Sequence, residues 1–236
     1  MSRGRWQSFA CALSLLTGAP ILAGCQSSGF VQEVERESGV RGTAERESGI
    51  YRDLIGRLLD QEKYYAALAH IEEYQRESGA TPQLQFYEAR ALYGLELDGQ
   101  AKAIYLRLRD GEFGGQARHG LGLIAARDGD LPGAIDYFID AVRMRPTDVA
   151  IRNDLGFALM RAARFRDARL QLSTALELEP DNGRARTNLM LLMIVTGNEA
   201  QVRELARDSG LGDAELARLR AQAERLRATI RPTSGG

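Results

Sequence analysis

The chain of 236 residues predicts an all-α solenoid of stacked helical hairpins. Three observations carry that prediction. Residues 115–148 and 149–182 align at a period of 34, their small and large apolar residues recur at the same places in each block, and each block closes on a proline, Pro146 or Pro180. A repeat of this length is one supersecondary unit that buries its apolar face only by stacking on its neighbours.

The matched pairs say how each unit packs. Leu121-Gly122 aligns with Leu155-Gly156, Ala134 with Ala168, Phe138 with Leu172 and Ala141 with Ala175. Small residues at repeat positions 8, 20 and 27 let two helices approach closely, and the large residue at position 24 fills the space beside them. The proline at position 32 ends the second helix, because it has no amide hydrogen to donate and its ring clashes with the preceding turn. This is the tetratricopeptide pattern, and it predicts a right-handed superhelix of hairpins.

The same phase extends outwards and gives about five repeats, over 48–81, 82–115, 115–148, 149–182 and 183–210. The first offers Leu54, Ala67 and Ile71 at positions 7, 20 and 24. The second offers Ala89, Ala101 and Tyr105 at positions 8, 20 and 24, and opens on Thr81-Pro82, an N-cap followed by proline at the first helical position. In the fifth, Leu189 holds position 7, but Val202 and Ala206 stand at 20 and 24, which predicts an irregular second helix. Beyond it, Leu216, Leu219, Ala223, Leu226 and Ile230 form a stripe at alternating spacings of three and four. That stripe predicts one capping helix over 211–231, covering the apolar end of the solenoid, before a disordered tail over 232–236.

The N-terminus carries a different signal. Arg3 and Arg5 precede a largely apolar run from Phe9 to Leu22, which reads as an export signal peptide over 1–24. The run ends in Leu22, Ala23, Gly24 and Cys25. Small residues before a cysteine are the lipobox of a bacterial lipoprotein, with Cys25 as the lipidation site, and the apolar run is too short and broken to cross a bilayer of roughly 30 Å. Gln26, in place of an aspartate, points to the outer membrane, facing the periplasm. The only other cysteine, Cys11, leaves with the leader, so the mature chain has no thiol for disulfide or metal chemistry. Residues 25–47, rich in Gly, Ser, Glu and Arg, carry the pentad Glu35-Arg36-Glu37-Ser38-Gly39 again as Glu45-Arg46-Glu47-Ser48-Gly49 and read as a flexible tether. Fully extended, it reaches roughly 70 to 80 Å.

Composition excludes several functions. The chain is 44% hydrophobic and 27% charged, and removing Arg3 and Arg5 lowers its formal net charge from −1 to −3. A nucleic-acid binder wants a strongly basic face. His70 and His119, the only histidines, belong to no metal-binding spacing, and no nucleophile elbow is present. Gly111 to Gly122 is glycine-rich but lacks the Lys-Ser/Thr ending of a phosphate loop. The expectation is therefore no catalytic residue, metal, cofactor or small-molecule substrate, and a protein partner bound on the concave wall formed by the first helix of each repeat. Inner-wall positions give Phe86, Arg90, Tyr93, His119, Leu123, Asn153, Phe157, Met160 and Arg161, with Asn188 and Leu191 continuing the wall. Apolar anchors beside polar side chains suit an extended or helical peptide.

The lipobox, the tether, Asn153-Asp154-Leu155-Gly156, Leu178-Glu179-Pro180-Asp181-Asn182 and Asn188-Leu189 together resemble the TadD-type lipoproteins of the tight-adherence (Flp) type IVb pilus apparatus. That resemblance implies a noncatalytic outer-membrane pilotin or assembly factor that binds the secretin subunit and promotes its localisation or assembly. A lipoprotein that scaffolds cell-wall synthases or outer-membrane barrel assembly is the competing reading of the same architecture.

Overall fold

A computed structural model describes residues 49–230. The leader, Cys25, the tether over 25–47 and the tail over 232–236 lie outside the described residues. No helix among the described residues is long and apolar enough to cross a membrane.

The described chain is an all-α tetratricopeptide solenoid. Helix α1 (49–60) is followed by α2 (Tyr64–Ser78), α3 (Pro82–Gly94), α4 (Asp98–Leu108), α5 (Gly114–Arg127) and α6 (Leu131–Met144). Then come α7 (Val149–Arg161), α8 (Phe165–Leu178), α9 (Gly183–Val195), α10 (Glu199–Asp208) and α11 (Asp213–Ile230). Each hairpin packs its second helix on the first helix of the next: α4 on α5, α6 on α7, α8 on α9.

Local chemistry sets the helix ends. Thr81, Asp148 and Asn182 cap α3, α7 and α9 by accepting the backbone N–H three residues on, at 3.3, 3.2 and 2.9 Å. Each bond satisfies one of the amides that a helix start leaves without an intrahelical partner. Helices α6 and α8 stop two residues before Pro146 and Pro180. A residue with positive φ recurs in the hairpin turns at Glu62, Glu96, Gly129, Ala163 and Gly197.

The residue at repeat position 8 sets how tightly each hairpin closes. A methyl group built on Gly122 would lie 2.5 Å from the Phe138 ring, and one on Gly156 would lie 2.6 Å from Leu172 Cγ. These contacts are closer than carbon atoms tolerate, so only glycine lets α5 meet α6, and α7 meet α8, at this separation. The α3–α4 hairpin, with Ala89 facing the same place, is less intimate, and α9–α10, where Met190 stands at position 8 and Ala206 at 24, is the loosest of the four. Met190 is fully buried at the place where the three preceding hairpins carry alanine or glycine. The expected irregularity of the fifth repeat is thus corrected: α10 is a regular helix of 10 residues, buried through Val202 and Ala206, and what is relaxed is its packing on α9.

The capping helix α11 is present and makes its main contact with α9, not α10. Leu219 and Ala223 are buried against the core that runs through α6 to α9. Arg227 Nε donates to the Val195 carbonyl at 3.1 Å, and its Nη2 donates to that of Ile194. These are carbonyls at the C-terminal end of α9, which lack intrahelical donors and sit at the negative pole of the helix dipole.

Candidate peptide-binding groove

The first helices α3, α5, α7 and α9 present one wall, and a cleft of about 340 Å³ lies along it toward the N-terminal end. Phe86, Arg90 and Tyr93 on α3 line it with Gln116, His119 and Leu123 on α5. Leu59, Tyr64 and Tyr105 close its sides, and Ala150, Asp154 and Arg184 bound it from the N-terminal ends of α7 and α9.

Aromatic contacts hold the apolar part of this cleft. Phe86 stacks on Phe113 with ring centroids 5.4 Å apart and lies 6.3 Å from Tyr105. The Arg127 guanidinium sits 3.8 Å from the centre of the Tyr93 ring and pairs with Asp98 at 3.0 Å. Such a cation over a ring face fixes the ring plane as well as attracting it. Arg90 is drawn toward the first repeat by Asp60 at 3.1 Å. Gln116 lines the cleft with its Oε1 buried and without a hydrogen-bond partner among the described residues.

The polar part is a ladder of side chains across three repeats. His119 Nε2 lies 2.8 Å from Asp154 Oδ2, and Asp154 Oδ1 accepts from Asn153 Nδ2 at 3.2 Å and pairs with Arg184 at 3.0 Å. Asn153 Oδ1 in turn accepts from Asn188 Nδ2 at 2.8 Å. Asp154 is nearly enclosed, at 8% side-chain exposure, and a buried carboxylate is tolerable because three donors converge on it. Each rung joins repeat position 5 of one unit to position 6 of the next, 35 residues on. In the second unit the rule lapses, since Phe86 and Gly120 occupy the corresponding places. The apolar cleft opens where the polar rungs stop.

The eleven inner-wall residues inferred from the sequence therefore separate. Phe86, Arg90, Tyr93, His119 and Leu123 converge on one cleft. Asn153 and Asn188 belong to the ladder, with Asn153 buried at 1% exposure and working as a support. Met160 and Leu191 have no exposed surface and are corrected from groove wall to core, because α11 adds its apolar stripe to the cluster they occupy. Phe157 is half-buried against that same cluster, and Arg161 is exposed away from the cleft.

Sequence reasoning passed over Asp154, Arg184 and Gln116. The spacing of 35 between His119 and Asp154, one more than the repeat, was the available signal for the first. The described residues hold no group of three or more His, Cys, Asp or Glu side chains placed to bind a metal ion.

Stacked hairpins with a wall of first helices define the class of tetratricopeptide-repeat scaffolds, which present surfaces to other proteins. The comparisons agree: residues 125–187 match the family model described as Tetratricopeptide repeat, and the chain is a tetratricopeptide-repeat protein. It is similar to "TPR repeat-containing protein PA4299" of Pseudomonas aeruginosa, with 33% identity over 161 residues. That match covers 68% of this chain and 64% of the relative, so it spans less than two thirds of the relative's length. Among solved structures, the thermophilic TPR protein TTC0263 of Thermus thermophilus aligns with a TM-score of 0.55 at 21% identity, over 75% of this chain and 96% of its own. YrrB, described as a TPR protein with an unusual peptide-binding site, aligns at 0.51 with 18% identity, over 74% of this chain and 90% of its own. At these identities the two structures share the fold.

Proposed function

We propose that this chain is a noncatalytic adaptor, held by lipid at Cys25 on the periplasmic side of the outer membrane, that captures a segment of the secretin subunit of an Flp-type pilus apparatus and promotes its assembly there. The observation that carries the binding role is the cleft of Phe86, Tyr93, His119 and Leu123, an open wall with aromatic side chains, backed by a ladder that holds its geometry. Preorganised apolar anchors beside convergent polar groups suit a peptide segment, since little ordering entropy remains to be lost by the wall. The membrane address and the secretin client rest on the lipobox and on the resemblance of the repeat motifs to TadD-type lipoproteins. Attachment to one surface would confine adaptor and client together and raise the effective concentration at which they meet.

Membranes solubilised from cells carrying the tagged full chain, followed by mass spectrometry of the co-purified proteins, test this reading. Retention of the secretin by the wild type and its loss in Phe86→Ala is the expected outcome. A gene deletion should remove assembled secretin rings while leaving secretin transcription intact, and Cys25→Ser should mislocalise the protein with the same consequence. Normal rings in the deletion strain reject the secretin role. Enrichment of cell-wall synthases or barrel-assembly components in place of the secretin favours the competing scaffold.

A further inference from the structure

Helix α11 departs from the stacking rule that the other hairpins obey. A regular continuation would place it against α10, yet it lies on α9, reaches α7 and makes little contact with α10. A cleft lined by Ala206, Leu211 and Leu216 is left between α10 and α11. The outer sides of α7 and α9 are already covered by α8 and α10, so a helix that touches both first helices must run along their inner wall. Burial agrees. Leu191 and Met160 are fully enclosed in the same core cluster as Leu219 and Ala223, whereas the equivalent side chains on α5, Leu123 and Ala126, are partly exposed.

The grip of α11 on this wall is narrow. Of its 18 residues, Leu219 and Ala223 alone are buried, while Leu216, Leu226 and Ile230 are half-buried. The remaining ties are Arg227 to the last carbonyls of α9 and an exposed pair between Arg220 and Glu199 at 2.8 Å. The connection from α10 runs through Ser209, Gly210, Leu211 and Gly212, and Gly210 has φ of +64°. Elements with few buried apolar contacts lie at the low end of the local stability range, where partial opening is easiest.

We propose that the inner wall of α7 and α9 is a second helix-binding surface, that α11 is its resident and displaceable occupant, and that an amphipathic helix of a partner protein takes the place of α11. The contacts of α11 specify what such a helix carries. Apolar side chains recur at spacings of three, four and three, matching Leu216, Leu219, Ala223 and Leu226. A small residue stands at the place of Ala223, which is fully enclosed. A cation near its C-terminal end meets the carbonyls that Arg227 meets now. This surface is separate from the open cleft, which touches α7 and α9 only at their N-terminal ends through Ala150, Asp154 and Arg184, and it does not depend on the client assigned to that cleft.

The probe is a fluorescent synthetic peptide of residues 213–230, added to the purified full chain and to its Ala223→Arg variant, in which the bulky cation expels α11 from the wall. The peptide should bind the variant at least tenfold more tightly than the wild type, and a peptide carrying Leu219→Asp should bind neither. Equal affinity for both proteins, or no binding to a variant whose α2 to α9 keep their wild-type hydrogen-exchange protection, overturns the proposal. Hydrogen–deuterium exchange on the wild type decides the matter if the variant does not fold. Excess peptide should speed exchange in α11 while α7 and α9 stay protected, and α11 exchange unmoved by saturating peptide overturns the proposal equally.

Discussion

His119 on α5 and Asp154 on α7 meet at 2.8 Å across a repeat boundary, with the carboxylate almost wholly enclosed and the imidazole at the edge of the open cleft. The same carboxylate gathers Asn153 and Arg184, and through Asn153 the chain of contacts reaches Asn188 on α9. One acid thus ties three repeats together at the floor of the wall. In a solenoid each unit touches only its neighbours, so contacts of this kind decide whether the wall behaves as one rigid surface.

Asp154→Ala should be the most damaging single change in the ladder. It strands the buried Asn153 amide and removes the partner of His119, at an expected cost of about 2 to 3 kcal/mol. In a domain of this size that corresponds to a fall in Tm of about 4 to 12 °C, read by circular dichroism. His119→Ala should cost about 1 kcal/mol, because Asp154 keeps its other two donors. An equal loss from both variants would contradict a ladder centred on the acid.

Gly156→Ala and Ala163→Gly should move stability in opposite directions, against what helix propensity alone suggests. The first puts a methyl group 2.6 Å from Leu172 Cγ and should cost about 1 to 3 kcal/mol by overpacking, more than the helix propensity it gains. The second relieves a non-glycine residue at φ of +58° and should gain about 0.5 to 1 kcal/mol. Urea midpoints at a common slope measure both.

Alkaline stability should report on Tyr105. Burial in the α3–α5 core raises its phenol above the ordinary value of 10. The unfolded chain releases that proton near pH 10 while the folded chain retains it, so the stabilisation is complete below pH 10 and is lost as the pH climbs beyond it. The urea midpoint of the wild type should therefore drop between pH 9 and pH 11 by more than that of Tyr105→Phe. Parallel curves for the two proteins would exclude this role for Tyr105.

Phe86→Ala should lower client retention about tenfold, since truncating a central aromatic anchor removes a large share of the binding energy. Arg161→Ala, on an exposed side chain outside the cleft, should leave retention unchanged. Far-UV circular dichroism of both variants guards against misfolding. Retention that responds to Arg161 and not to Phe86 would relocate the binding surface.

Much of the fold was legible because its rules are local. Glycine at 122 and 156 opposite Phe138 and Leu172 is visible as a recurrence, and the closeness of each hairpin follows from one residue type at one place. The candidate site was legible only in part. Phe86, Tyr93 and Leu123 converge as inner-wall periodicity suggests, but the same periodicity selects Met160 and Leu191, which are buried in the core cluster that α11 joins. Spacing within a helix says which way a side chain faces and is silent on what lies opposite.

The sequence by itself determined the helical hairpins, because the periodicity of small residues, caps and prolines acts over a few turns of one chain. Only the tertiary structure decided that α11 folds inward onto α9 and that His119, Asp154, Asn153 and Asn188 form one ladder. Those outcomes depend on the distance and angle between repeats, which arise from many packed side chains together and are carried by no single stretch of residues.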